Sequence, residues 1–406
     1  MQLGPPMSRT HGPSGRIPTL DGVRAVSISF VLLAHAIGTA GLPMNDRLAK
    51  LFGDVGVRTF FVLSGFLITT LLVREQRRRG RISLGNFYIR RALRIFPAFY
   101  AYLAVVAVLG AIGWIALDDG DLLAAATYTM NFHPERAWAA GHLWSLAVEE
   151  QFYLLWPAAL VVLGVARAPR VALAALALAP LLRVGLWYGM PAHRALVDQA
   201  FPCVFDALAT GCMLALVYER LGESQLVHRV VESTWFWWGP GLAIASLAIS
   251  NPAFRFGIGA TLANLGIALV LYRCVSQPDT LVGRALERRP LVWLGTLSYS
   301  LYLWQQLFLN RHADGVLHAF PINVALAVAA AAACHHVIER PILRLADRWR
   351  DRPSSAVPLR ASLVSDEPVV DVGEPVAGSD RPRRSATLTS PGGRRPSGSV
   401  TAEVPS

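Results

Sequence analysis

Lysine is all but missing from this chain: Lys50 stands alone, and the remainder of the 38 basic residues are arginine. Charge of either sign is scarce, 16% of 406 residues, where a soluble domain carries roughly 25%. Hydrophobic residues make up 53%. Apolar runs of about 18 residues or more recur, the length needed to cross a bilayer. An ordinary soluble protein is thereby excluded. The net charge of +11 does not argue for a nucleic-acid partner, because most of the arginines lie in loops between apolar runs. The four cysteines, Cys203, Cys212, Cys274 and Cys334, show no CxxC spacing. They read as small, soft packing residues, with no disulfide and no metal site. No small-residue cleavage site follows the first apolar run, so it reads as an uncleaved first span.

Ten spans are expected, at 24–42, 56–73, 95–116, 146–165, 171–189, 204–218, 235–250, 256–272, 291–310 and 319–338. With the N-terminus inside, inner segments carry nineteen arginines and outer loops seven Lys and Arg. The positive-inside bias then places both termini in the cytoplasm. Residues 351–406 are rich in Pro, Ser, Gly and Arg and lack periodicity, the composition of a disordered tail. The expected architecture is an all-α integral membrane protein of about ten transmembrane helices around an internal cavity. It divides into a cytoplasmic segment 1–19, a membrane domain 20–345 and a disordered cytoplasmic tail 351–406.

Ionisable groups inside such spans are costly and mark cavities or partners. Arg24 and His35 lie on the first span, eleven residues apart, close to three helical turns, so they share one face about 16 Å apart. A neutral imidazole there has the chemistry of a general base. Glu149, in the Trp144–Tyr153 stretch that opens the fourth span, is a candidate to orient His35 as the third member of a triad. The bland alternative is an acid solvated at a helix N-terminus. Arg91 and Arg94, three apart beside the third span, suit bidentate binding of a phosphorylated cofactor. Arg74 to Arg81 are explained by the positive-inside bias alone. Ser64 and Gly65 suggest close helix packing, with Ser64 also a candidate for the cavity wall. Ser298, Tyr299, Tyr302 and Gln305 share one face of the ninth span and either line a cavity or bond neighbouring helices. Arg183 and Asp206 are expected to pair. His193 and Asp198 match an HxxxxD pattern but lie in a short outer loop, and are set aside.

Six stretches, in order, carry a resemblance: LDGVRAVSISFVLLAH, GVRTFFVLSGFLI, FYIRRALRIFPAFY, HLWSLAVEEQFYLLWP, LGTLSYSLYLW and IERP at 338–341. Together the chain resembles the acyltransferase 3 family of integral membrane O-acyltransferases. That resemblance implies transfer of an acyl group, often acetyl, from cytoplasmic acyl-CoA to a hydroxyl of a carbohydrate, cell-envelope glycan or natural product. It implies roles for His35 as the essential histidine, Arg24 as its partner arginine, Arg91 and Arg94 at the CoA donor, and Glu149 in the fourth-span motif. The ninth-span motif commonly continues to a histidine where this chain has Gln305, so no proton transfer is assigned there. Some members add an SGNH esterase-like domain, for which this chain lacks the length. Two other classes are considered: a secondary transporter with His35, Glu149, Arg183 and Asp206 as a proton relay, and a scaffold signalling through the tail.

Overall fold

The structure is a computed structural model and describes residues 17–350; the expected tail 351–406 and most of the segment 1–19 lie outside it. All regular structure among the described residues is helical. The principal helices are α1 (Pro18–Ala36), α2 (Asp46–Arg79), α3 (Leu84–Ala111), α4 (Leu143–Leu163), α5 (Ala168–Gly189), α6 (Phe201–Glu223), α7 (Ala260–Ser276), α8 (Arg289–Phe308) and α9 (Ile322–Cys334). A π-helical turn, His335–Glu339, joins α9 to a last helix, α10 (Arg340–Arg350). Pro18 opens α1. Asn45 caps α2 through the Leu48 N–H at 3.1 Å, and Gly80 closes it at φ 69°.

Eight segments, built on α1 to α7 and α9, are long and apolar enough to cross a membrane. The two other expected spans differ for identifiable reasons. α8 has the length, 20 residues, but carries Ser298, Ser300, Gln305 and Gln306 and lacks an 18-residue stretch as apolar as those of the other eight. Residues 235–250 do not form one continuous α-helix: the stretch splits into Thr234–Trp237, Trp238–Ala245 and Ser246–Ala248, with Gly239, Pro240 and Gly241 in the first turn of the middle piece, where proline is tolerated.

Helix directions show that this broken stretch still traverses the bundle. α6 and α7 run the same way: Arg183 binds the Cys203 carbonyl and the Thr261 hydroxyl near one end, and Tyr218 packs on Tyr272 near the other. Two successive parallel helices need a return crossing between them. Residues 231–246 supply it, since Arg273 reaches the Val231 carbonyl at one end and Ser246 donates to the Gly259 carbonyl, 2.8 Å, at the other.

Glycines set the closest approaches. A methyl group at Gly65 would stand 2.0 Å from the Leu208 carbonyl, and one at Gly211 would stand 1.9 Å from that of Val62, so α2 and α6 cross nearly backbone to backbone. Gly295 likewise brings α8 onto α1 at Asp21, where an added methyl would stand 1.9 Å from the carbonyl. The apolar core falls into two clusters, one centred on α2, α4, α6 and α7, the other on α1, α3, α8 and α9. Val57, Trp144 and Tyr299 pack against both and mark the seam.

Arg183 and Asp206 pair as expected, at 2.9 Å and fully buried. Arg183 also binds the carbonyls of Phe256 and Cys203 and, with Asp206, the Thr261 hydroxyl. Removing one partner of such a pair strands a buried charge. The Arg183→Leu variant is therefore expected to lose about 3–5 kcal/mol of stability, and Arg183→Leu/Asp206→Leu to regain most of it, as read by unfolding in detergent.

Candidate active site

Two cavities lie along the seam. The larger, about 410 Å³, is walled by His35, Trp138, His142 and Gln306 together with Arg58 and Asp54 of α2. The smaller, about 120 Å³, is walled by Arg24, Arg91, Arg94, Glu149 and Tyr299 among others. Val57, Phe61 and Tyr302 line both and so form the partition between them. Tyr302 is held in place by donating to the His142 carbonyl at 3.0 Å and by the Ser145 hydroxyl, with Phe60 against its ring edge.

The helical spacing explains why α1 serves both. Arg24 and His35 share a face but differ by about 16 Å in height, so one reaches each cavity. α8 runs beside α1 in the same direction, from Gly295 against Asp21 to Gln305 and Gln306 against His35. Its polar face thus passes both chambers: Ser298 and Tyr299 line the smaller, Tyr302 the partition, and Gln306 the larger.

His35 is held at both ring nitrogens by amides. Nδ1 lies 3.0 Å from Gln305 Oε1, and Nε2 lies 3.2 Å from Gln306 Nε2. These partners suit a neutral ring that donates from Nδ1 and accepts at Nε2. Gln306 Oε1 turns to His142, 2.8 Å from its Nδ1 and 3.2 Å from its backbone N–H, so one amide bridges two histidines. The edge of Trp138 closes the other side, 5.8 Å between ring centroids.

The expected pairing of Glu149 with His35 is not found. Glu149 accepts from Ser64 at 2.8 Å and from Tyr153 at 3.0 Å, in the smaller cavity. The reason is depth. Residues 130–142 form short turns inside the bundle, so α4 begins at Leu143 and the residue level with His35 is His142. Glu149 lies seven residues, about 10 Å, further along. Ser64 lines the smaller cavity through its bond to Glu149, while Gly65 makes the close contact with α6. Tyr299 also lines it and donates to the Ile95 carbonyl at 2.9 Å.

Arg91 stacks on the Tyr153 ring at 3.6 Å and keeps a buried Nε without a partner. Arg94 is exposed at the mouth, and Arg24 sits 3.4 Å from Asp21. Glu149, Glu150 and Glu339 lie in the same wall. Arg183 and Asp206 line neither cavity and pair with each other. Among the described residues no cluster of His, Cys, Asp and Glu has the makings of a metal site.

His142, Gln306, Trp138 and Arg58 line the larger cavity and are not among the residues expected from the sequence. The His142-Leu-Trp-Ser run and the Gln305-Gln306 doublet were the available signals, since polar pairs inside apolar spans call for partners. Asp198, set aside with the HxxxxD pattern, lines the larger cavity and pairs with Arg255 at 3.3 Å, whereas His193 is exposed.

Comparison with known proteins gives these residues a context. The family described as an acyltransferase domain matches residues 17–334. The O-acetyltransferase OatA of Staphylococcus aureus (strain NCTC 8325 / PS 47) is 29% identical over 359 residues, 80% of this chain and 57% of the relative. The peptidoglycan O-acetyltransferase OatA of Listeria monocytogenes is 30% identical over 329 residues, 73% of this chain and 50% of the relative. The chain thus spans about half the length of the curated relatives it matches. No solved structure matches it. The match covers α1 through α9, both cavities and all but the Glu339 edge of their walls, and the chain belongs to the acyltransferase 3 family.

Proposed function

We propose that the chain is a membrane O-acyltransferase that moves an acyl group, most simply acetyl, from acyl-CoA to a hydroxyl of a cell-envelope glycan. The observation that carries this reading is the pair of cavities meeting at Val57, Phe61 and Tyr302, with arginines on one side and a neutral histidine on the other. The relatives' names supply the acetyl group and the peptidoglycan acceptor class.

The donor enters at the arginine end. Arg94 at the mouth, with Arg91 and Arg24 behind it, meets the phosphates of CoA, which guanidinium groups bind bidentately. The thioester passes Tyr302 to reach His35. The acceptor enters the larger cavity and presents its hydroxyl to His35 Nε2 in place of the Gln306 amide. His35 takes the hydroxyl proton as the oxygen bonds to the thioester carbonyl carbon. The C–S bond breaks, the thiolate leaves, and the imidazolium returns the proton to it, giving ester and free CoA. Gln305 and Gln306 keep the ring in register, without the carboxylate of a triad. Both ends of the described chain lie at the arginine end, α1 starting there and Glu339 lining the smaller cavity. That end is assigned to the cytoplasm, in keeping with the loop arginines.

With purified protein, labelled acetyl-CoA and a sugar acceptor, His35→Ala is expected to lose acceptor-dependent transfer by about 10²–10⁴-fold. Equal transfer by the variant would remove the histidine from the chemistry. Arg94→Ala is expected to raise the acetyl-CoA KM roughly tenfold or more with kcat little changed, the mark of a lost binding contact. An unchanged KM would place the donor elsewhere.

A further inference from the structure

The larger cavity holds a cation that the transfer chemistry leaves unused. Arg58 lines it on α2 and is 7% exposed. Its Nη1 donates to the neutral Asn264 side chain at 3.2 Å, and its buried Nε has no partner. Among the described residues Arg58 has no carboxylate within 4.0 Å. The nearby acids are already taken: Asp54 and Asp198 share Arg255, at 2.9 and 3.3 Å, and Asp206 is held by Arg183. Two further cations line the same cavity. Arg136 binds the Gln199 amide and the Met130 carbonyl, and Lys50 is exposed at the rim. A buried guanidinium bound by one amide is short of the charge-assisted partners it normally has.

Resting on the acyltransferase reading, we infer that the acceptor carries an oxyanion, a carboxylate or phosphate, which docks on Arg58 while its hydroxyl lies at His35. Geometry fits a substrate of sugar size. A methyl group added at Gly53 would stand 3.6 Å from Ala34 Cβ, next to His35, and Arg58 follows five residues later, about 7.5 Å along the helix. That separation matches one pyranose ring with a charged substituent. Arg136 and Lys50, nearer the opening, draw the anion in. The Trp138 indole, with a buried Nε1 that has no partner, offers the ring a wall and a donor.

Binding without chemistry tests this first. Full-length protein in detergent is titrated with N-acetylglucosamine, N-acetylmuramic acid and N-acetylglucosamine 1-phosphate, following tryptophan fluorescence and thermal stabilisation. Wild type is expected to bind at least one acidic sugar roughly tenfold or more tighter than the neutral one; which acid wins identifies the oxyanion. Arg58→Gln is expected to erase that preference, Arg58→Lys to keep part of it, and Arg136→Gln to weaken it severalfold. Should Arg58→Gln fail to purify monodisperse, the Lys and Arg136 variants carry the comparison. No acid preference in wild type, or an equal preference in the variants, overturns the inference. An Arg58-dependent preference without acetyl transfer to any sugar would leave the anion site standing and remove the acyltransferase reading.

Discussion

The whole site depends on one helix being fixed at its base. Gly295 admits the backbone of α8 against Asp21, and Gly22 admits the Leu286 carbonyl, where an added methyl would stand 2.3 Å away. These two close approaches fix the register of the first turn of α1 against its neighbours. Arg24 and His35 then fall on the seam between the two apolar clusters, at heights set by helical rise alone. The same clamp sets the register of α8, and so brings Gln305 and Gln306 to the imidazole. Small residues do this work because, in an apolar solvent, helices associate through close packing and interhelical hydrogen bonds.

The histidine so held differs from a triad base. Amides rather than a carboxylate face both of its nitrogens, and a second histidine shares the same glutamine. An amide orients the ring and offers a dipole, but it does not fully balance an imidazolium. In the proposed mechanism the charge on His35 is therefore transient, and the developing thiolate is its natural counter-ion. Gln305, the position where the ninth-span motif departs from the pattern the family resemblance implies, touches the His35 imidazole directly. The departure seen in the sequence is thus a change in the base's immediate partner, not in a distant wall.

Much of this was legible in the sequence. The Arg24–His35 spacing, the helical class, the pairing of Arg183 with Asp206 and the polar face of α8 all follow from periodicity and from the cost of charge in apolar surroundings. What was not legible was depth. Glu149 is a candidate partner for His35 from the fourth-span motif alone, yet it bonds Ser64 and Tyr153 instead. The start of α4 is set by the turns at 130–142, whose packing no local pattern reveals. The broken crossing at 234–248 is similar: hydropathy finds the stretch, but only the neighbours at Val231 and Gly259 show that it traverses the bundle. The burial of Arg58 depends on α7, more than 200 residues away, and no local pattern reveals it.

The central claim is that donor and acceptor approach His35 from opposite ends and meet at Tyr302. The most direct test is a cryo-electron microscopy structure of the protein with acetyl-CoA bound. The account predicts nucleotide density against Arg94, Arg91 and Arg24, and a pantetheine arm that passes a displaced Tyr302 with its thioester at His35. Nucleotide in the larger cavity, beside Arg58 and Trp138, with Tyr302 still closed on Ser145, would contradict it.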